Sequence, residues 1–367
     1  IIVRKIGKQE IEDIAVGAAL LGTGGGGDPY IGKLMALQAV EEHGPITLLS
    51  IDEVPDDALV VASGGMGAPT VLVEKIPSGH EISQTFKALE KYIGKEVFAT
   101  YPIEAGGINS MLPLALAAQL GLPVIDADGM GRAFPELQMT TFYLDGISAT
   151  PMVLADEKGN VTIMDTIDNA WTERIARSVT VQKGGAATSA IYPMSGKNLK
   201  DSGIHDILSL EEQIGRAIRL SKEANLDPVQ EVLKLTNGFE LFAGKVVDVH
   251  RKTEGGWALG TAHIEGLREY KGQTVELRFQ NEHLLAKSGE RLLCVTPDLI
   301  AVVDSETGLP ITTEGLRYGA RVVVIGMPCH PKWRTEKGIQ TVGPRYFRYD
   351  TDYVPVEELV GKGSVAK

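Results

Sequence analysis

The chain has 367 residues, 43% hydrophobic and 23% charged, a balance typical of globular proteins at a length that suits two domains better than one. Its 48 acidic residues outnumber 36 basic ones for a formal net charge of -12, which argues against nucleic acid or an anionic membrane as a partner. No apolar run reaches the roughly 18 residues of a membrane span, and with only Cys294 and Cys329 the chain has neither a disulfide framework nor a four-cysteine zinc pattern.

The opening "IIVRKIGKQE" lacks a continuous apolar core followed by a small-residue cleavage site, so the cytoplasm is the expected compartment. Next, "EIEDIAVGAALL" places Ile11, Ile14, Ala15, Ala18 and Leu21 at helical spacing. It leads into "LGTGGGGDPYIGKL", six glycines in fourteen residues. Asp28 as N-cap and Pro29 at the first helical position then open the helix "PYIGKLMALQAVEEH".

Gly22, Gly24 and Gly27 spell G-x-G-x-x-G, and Gly27, Gly32 and Lys33 spell G-x-x-x-x-G-K. Neither match has its context. A dinucleotide turn follows a strand, and Leu34 stands where a P-loop needs Ser or Thr. What remains is the expectation that Gly24, Gly25 and Gly26 lend backbone amides to a small anionic or carbonyl-bearing ligand. The alternative is a tight interhelical turn in which glycine permits close packing.

Alternating elements follow: strands "ITLLSI" and "ALVVASGGMG", helix "HEISQTFKALEKYIG", strand "EVFATYP", helix "NSMLPLALAAQLG" and strand "LPVIDADGMG". Such alternation predicts an α/β layer with a substantially parallel sheet. A hairpin turning at Gly159 and Asn160 and a helix "DNAWTERIARSVTVQ" come next, with a domain boundary expected near Asp165, giving domains 1–165 and 166–367. Ser209 with Glu212 three residues on reads as the capping box of a further helix. From about Gly238 the pattern turns to short strands between Gly-rich turns, a C-terminal β-rich barrel or sandwich.

Ligands of open α/β sheets gather at the carboxyl ends of the strands. Three such ends carry loaded loops: "SGGMGAPT" with Gly65 and Met66, "YPIEAGGINS" with Glu104 and Asn109, and "IDADGMGRAFPELQ" with Asp126, Asp128, Arg132 and Glu136. Glu104, Asp126, Asp128 and Glu136 are therefore candidates for general acid/base work or for oxygen ligation of a divalent metal. The plainer alternative is that they cap turns and pair with cations. Asp126 and Asp128 alternate along a strand end, so at most one is expected to face a pocket. Cys329 and His330 in "MPCHPKW" are ligand types for zinc, but adjacent residues seldom reach one ion, which makes them weak metal candidates. Cys294, in an apolar strand, is expected in the core. Asn281, Glu282, Asp298, Thr312, Thr313, Glu314, Trp333 and Arg334 concentrate in turns between the late strands, where turn chemistry is the first expectation and a cradle for a ligand the alternative.

Taken together, "LGTGGGGDPYIG", "GGMGAPTV", "EAGGINS", "DADGMGRAFPELQMTTF", "PDLIAVVD" and "PITTEGLRYG" resemble the DUF917 family, the S-methyl thiohydantoin desulfurase-like proteins associated with hydantoinases and oxoprolinases. The resemblance runs from about Ile6 to Glu358. It implies an α/β N-terminal domain, a β-rich C-terminal domain, and hydrolysis of a small hydantoin-like ring in which water replaces an S-methyl group. On that reading Glu104, Asp126 or Asp128 supplies the base, while Arg132 and the glycine amides hold anionic oxygens. A divalent metal such as zinc could serve as Lewis acid. The alternatives are a noncatalytic ligand-binding or accessory subunit of a hydantoinase-type system and an ATP-assisted ring hydrolase. The implied partners are a small-molecule substrate and either further copies of the chain or a hydantoinase-type protein.

Overall fold

A computed structural model describes residues 4–67, 71 and 80–364. Residues 68–70, the end of the loop "SGGMGAPT", lie outside the described residues. Two sheets organise the chain.

The first is a mixed sheet of eight strands in the order β1-β2-β5-β4-β3-β9-β7-β8. Its centre is the expected parallel set: β2 (Ile46–Leu49), β3 (Leu59–Gly67), β4 (Ala99–Pro102) and β5 (Val124–Ile125). These strands are short apolar runs buried on both faces, as parallel strands covered by helices must be. The helix Met111–Leu120 is buried almost throughout, which explains why it shows no amphipathic pattern. Antiparallel strands complete the edges: β1 (Arg4–Ile6) on one side, and β7 (Met152–Ala155) with β8 (Val161–Met164) on the other.

β9 (Ala186–Ser195) follows the expected boundary in sequence yet lies in this first sheet, between β3 and β7. Its pairing has a consequence for the site. β3 stays bonded to β4 only as far as Ser63, whereas β9 carries it on to Gly67. The glycine-rich end of β3 therefore projects past its parallel neighbours.

The short strands β6 (Ala127–Asp128) and β10 (Ile204–His205) pair with each other. The C-terminal strands form an antiparallel half-barrel in the order β15-β14-β13-β12-β11-β17-β16. Their ranges are β11 (Phe239–Glu254), β12 (Trp257–Gly266), β13 (Thr274–Gln280), β14 (Glu282–Ser288), β15 (Arg291–Val295), β16 (Leu299–Asp304) and β17 (Arg321–Met327). Buried Cys294 lies in this core, as expected.

Asp28 and Pro29 open the helix Pro29–His43 as predicted, the Asp28 side chain accepting from the Tyr30 amide. The capping box at Ser209 is not formed. That helix begins two residues earlier, at Ile207, and the Leu208 and Ser209 amides donate to Asp126 instead. A carboxylate from a distant strand supplies more capping charge than a local hydroxyl, so it takes the free amides of the first turn. Among the described residues, no helix is long and apolar enough to cross a membrane.

Candidate active site

The glycine run is the floor of the site, and it is wedged from two sides. It joins two helices, Lys8–Leu21 and Pro29–His43, and Lys33 is paired with Glu12 at 3.0 Å. On one side, Gly26 lies so close to the "EAGGINS" loop that a Cβ would stand 2.5 Å from Gly106 Cα, and its φ is +76°. Its carbonyl accepts from the Ile108 amide at 2.9 Å. On the other side the half-barrel presses in. The His283 amide donates to Thr23 O at 2.8 Å and the Thr313 amide to Gly24 O at 2.9 Å. A Cβ on Gly25 would fall 2.1 Å from Glu282 Oε1. Gly24 and Gly25 thus hold the two sheets together, and of the three predicted glycines only Gly26 lines the cavity.

That cavity has about 70 Å³ of interior space, where one water needs roughly 10–15 Å³ in the same measure. It suits a small ring. Glycine backbone at Gly26, Gly27, Gly65 and Gly67 forms part of its wall, and Ile103, Ile108, Met130 and Phe134 supply apolar surface. Glu104, Asn109, Glu136, Arg177, Asn281 and Glu282 bring polar groups to it.

Glu104 is 6% exposed and rigidly held. The Gly65 amide donates to Asn109 Oδ1 at 2.7 Å, which turns Asn109 Nδ2 toward Glu104 Oε1. Glu104 Oε2 accepts from the Phe134 amide at 3.1 Å. Burial pushes the Glu104 carboxyl up to about 7; the Asn109 and Phe134 hydrogen bonds and the Arg132 charge oppose that rise. A carboxyl that titrates near neutrality inside a cavity is suited to accept and return a proton.

Glu282, for which turn chemistry is the first expectation from the sequence, lines the cavity instead. Asn281, with φ +59°, turns the chain from β13 into β14 and places Glu282 against the glycine run. Its side chain is 2% exposed and, among the described residues, Oε2 has no hydrogen-bond partner. Burial first, and then the Glu104 charge, hold its carboxyl well above the usual carboxylate range.

The other predicted residues are placed differently. Met66 and Gly65 line the cavity from the projecting end of β3. Glu136 sits at the rim, accepting from Tyr346 Oη and Gln138 Nε2, and shares with Arg177 an outer pocket edged by Trp257 and Tyr346. Arg132 is fully buried beneath the site. Its donors go to Ala133 O, Pro297 O, Asp298 O, Thr23 Oγ1 and His283 O. A guanidinium has five N–H groups, so Arg132 clamps the two sheets and contributes a positive charge to the site without a free donor.

Asp126 and Asp128 do not line the cavity. Asp126 caps the helix Ile207–Ala224 through the Leu208 amide at 2.8 Å, the Ser209 amide at 3.2 Å and the Ser209 hydroxyl. Asp128 Oδ2 accepts from the Gly131 amide at 2.8 Å, while its Oδ1 is buried without a partner among the described residues; burial first, with the Glu104 charge adding, holds this carboxyl well above the usual range. Cys329 and His330 diverge: the Cys329 amide donates to Asp298 at 2.9 Å, while His330 Nδ1 accepts from the Lys332 amide at 3.3 Å. Burial and Asp298 push the Cys329 thiol up to about 12. Among the described residues, no three His, Cys, Asp or Glu side chains are arranged to hold a metal ion.

Family models described as the S-Me-THD-like N-terminal and C-terminal domains match residues 9–166 and 167–356. A solved structure, the crystal structure of a protein from Chromobacterium violaceum, is similar with a TM-score of 0.79 and 21% identity, covering 96% of this chain and 100% of that one. At that identity the likeness speaks for the fold. No curated protein matches the chain.

Proposed function

Because the chain belongs to the S-Me-THD-like family, whose membership points to an enzyme of hydantoin-related chemistry, we propose that it is a hydrolase that replaces a thiol on a small hydantoin-like ring by water. The observation that carries this reading is Glu104: a buried carboxyl, oriented by two N–H donors, that titrates near neutrality on the wall of a ring-sized cavity. Glu104 takes a proton from water. The water oxygen adds to the ring carbon that bears sulfur, and the carbon–sulfur bond then breaks with its electron pair on sulfur.

Asn109 acts as a positioning residue. Its amide orientation is fixed by Gly65 and leaves Glu104 one lone pair on each oxygen for water. Arg132 lies behind the carboxyl and favours its ionised form. The glycine run serves as a seam between sheets, and Lys33, bound to Glu12, takes no part in a nucleotide site. A divalent ion as Lewis acid is an addition that metal analysis with and without chelator decides.

Incubation with S-methyl thiohydantoin and with unmodified hydantoin, thiol release and ring opening being followed separately, tests the reading. Thiol release without ring opening is expected. Ring opening alone, or ligand binding with neither product, would overturn it in favour of a ring hydrolase or an accessory subunit.

A further inference from the structure

We propose that Glu282 is the acid partner of Glu104: it carries the cavity's one shared proton at neutral pH and delivers it to the ring nitrogen as water adds to the neighbouring carbon. The catalytic half of this assignment rests on the hydrolase reading above. The protonation half stands on the chain's own groups.

The charges around the pair can be counted from each packed element. Glu104 comes from the loop after β4, and Arg132 lies behind both carboxyls. His283, next to Glu282 on β14, has neither ring nitrogen hydrogen-bonded, and burial holds it neutral, down to about 3. From the helix Asn169–Gln182, Arg177 is already paired with Glu173. Glu136 at the rim is satisfied by Tyr346 and Gln138. Asp128, buried on the far side of Glu104, feels the Glu104 charge as well. Among the described residues that leaves one cation, Arg132, against more than one buried carboxyl. An uncompensated second carboxylate in so dry a place takes up a proton instead.

Which of the two carries it follows from their partners. Glu104 accepts an N–H on each oxygen, and such bonds favour the anion. Glu282 leaves Oε2 without a partner among the described residues. As an anion that oxygen would forfeit its hydration, whereas a neutral carboxyl has an O–H to offer a substrate. The Gly26 amide and its own favour the Glu282 anion, but burial and the Glu104 charge outweigh them. Two carboxyls pushed apart in this way fall into base and acid roles.

The step balances with water alone. A water proton passes to Glu104, the water oxygen bonds to the carbon, and the ring nitrogen takes the Glu282 proton. On collapse the new hydroxyl returns its proton to Glu282, the thiolate departs with the carbon–sulfur pair, and Glu104 protonates it. Both carboxyls end as they began.

Glu282→Gln in the full-length chain, beside Glu104→Gln, tests this with two readouts. Without any ligand, infrared difference spectra near neutral pH are expected to show a protonated-carboxyl band lost in Glu282→Gln and a carboxylate band lost in Glu104→Gln. With S-methyl thiohydantoin, thiol release is expected to fall about 100-fold or more in Glu282→Gln, with the alkaline limb of the kcat/KM profile removed and the acid limb kept. A carboxylate band lost in Glu282→Gln, or wild-type turnover and pH profile in that variant, would overturn the assignment. If the wild-type protein releases no thiol, the hydrolase reading and the acid role fall together, while the infrared spectrum still decides where the proton sits.

Discussion

Two groups of buried carboxyls lie in this chain, one at the junction of the two sheets and one under the α/β layer, and only the first lines a cavity. Glu104 and Glu282 line a cavity. Asp126, Asp128 and Glu211 cluster at the start of the helix Ile207–Ala224 and do not line the cavity: Asp126 accepts from backbone amides, one Asp128 oxygen from the Gly131 amide and one Glu211 oxygen from the Ser110 hydroxyl, while Asp128 Oδ1 and Glu211 Oε2 are buried without a partner among the described residues. Burial raises the carboxyls of both groups. A shifted pKa therefore marks dryness, and access to a cavity is what separates a working carboxyl from a structural one.

The strongest way to break that contrast is Glu104→Gln. Loss of the base is expected to cut thiol release on the order of 1,000-fold, within the range for acid/base groups, with far-UV circular dichroism unchanged. An activity loss of only a few-fold would remove Glu104 from the chemistry. The wild-type kcat/KM should rise with pH through about 7 as Glu104 ionises; a profile flat from acid to neutral pH would contradict the base assignment.

Stability carries the opposite sign. The folded Glu104 carboxyl titrates at about 7 instead of 4.5, so folding favours its neutral form. The contribution is full below the unfolded value and is lost as pH rises from there through about 7, up to an order of 3 kcal/mol for a shift of this size. Glu104→Gln keeps a neutral side chain at every pH. It should therefore melt higher than wild type above neutrality and the same as wild type at acid pH; equal melting temperatures at alkaline pH would refute the burial argument.

Gly25→Ala probes the same cavity from the floor. The new methyl group would meet Glu282 Oε1 at 2.1 Å, so Glu282 must swing while the backbone stays, and Gly25 needs no positive φ. A loss of about 10- to 100-fold in thiol release is expected, with the acid limb of the pH profile, which belongs to Glu104, unmoved. Gly26→Ala differs because its methyl would meet backbone at Gly106 from a positive φ. Its damage should appear in the melting temperature first.

The layer itself was legible from alternation, and the helix at Pro29 from its cap and proline. Glu104, Asn109, Gly65, Met66 and Glu136 reached the cavity wall by one topological rule, that loops at the carboxyl ends of parallel strands converge. Glu282 could not be found that way. It comes from the half-barrel, nearly 180 residues after Glu104, and only the packing of two sheets across the glycine run brings it in. Asn281 at positive φ was a turn signal without a stated direction. The capping box at Ser209 misled for a related reason, since local pattern cannot see Asp126 arriving from another strand.

Asp126 supplies the smallest expected effect and the sharpest test of the contrast. Its carboxyl is as buried as that of Glu104, and its removal should be felt by the helix alone. Asp126→Ala frees the Leu208 and Ser209 amides and the Ser209 hydroxyl, at a cost of about 1–2 kcal/mol for a lost cap, or a few degrees in Tm for a chain of this size. Asp126→Asn retains an acceptor for the same amides and should recover most of that loss. Thiol release per folded molecule is expected to stay at the wild-type value in both. Unchanged melting with activity lost as deeply as in Glu104→Gln would place Asp126 in the chemistry, and access would then no longer be what separates the two groups.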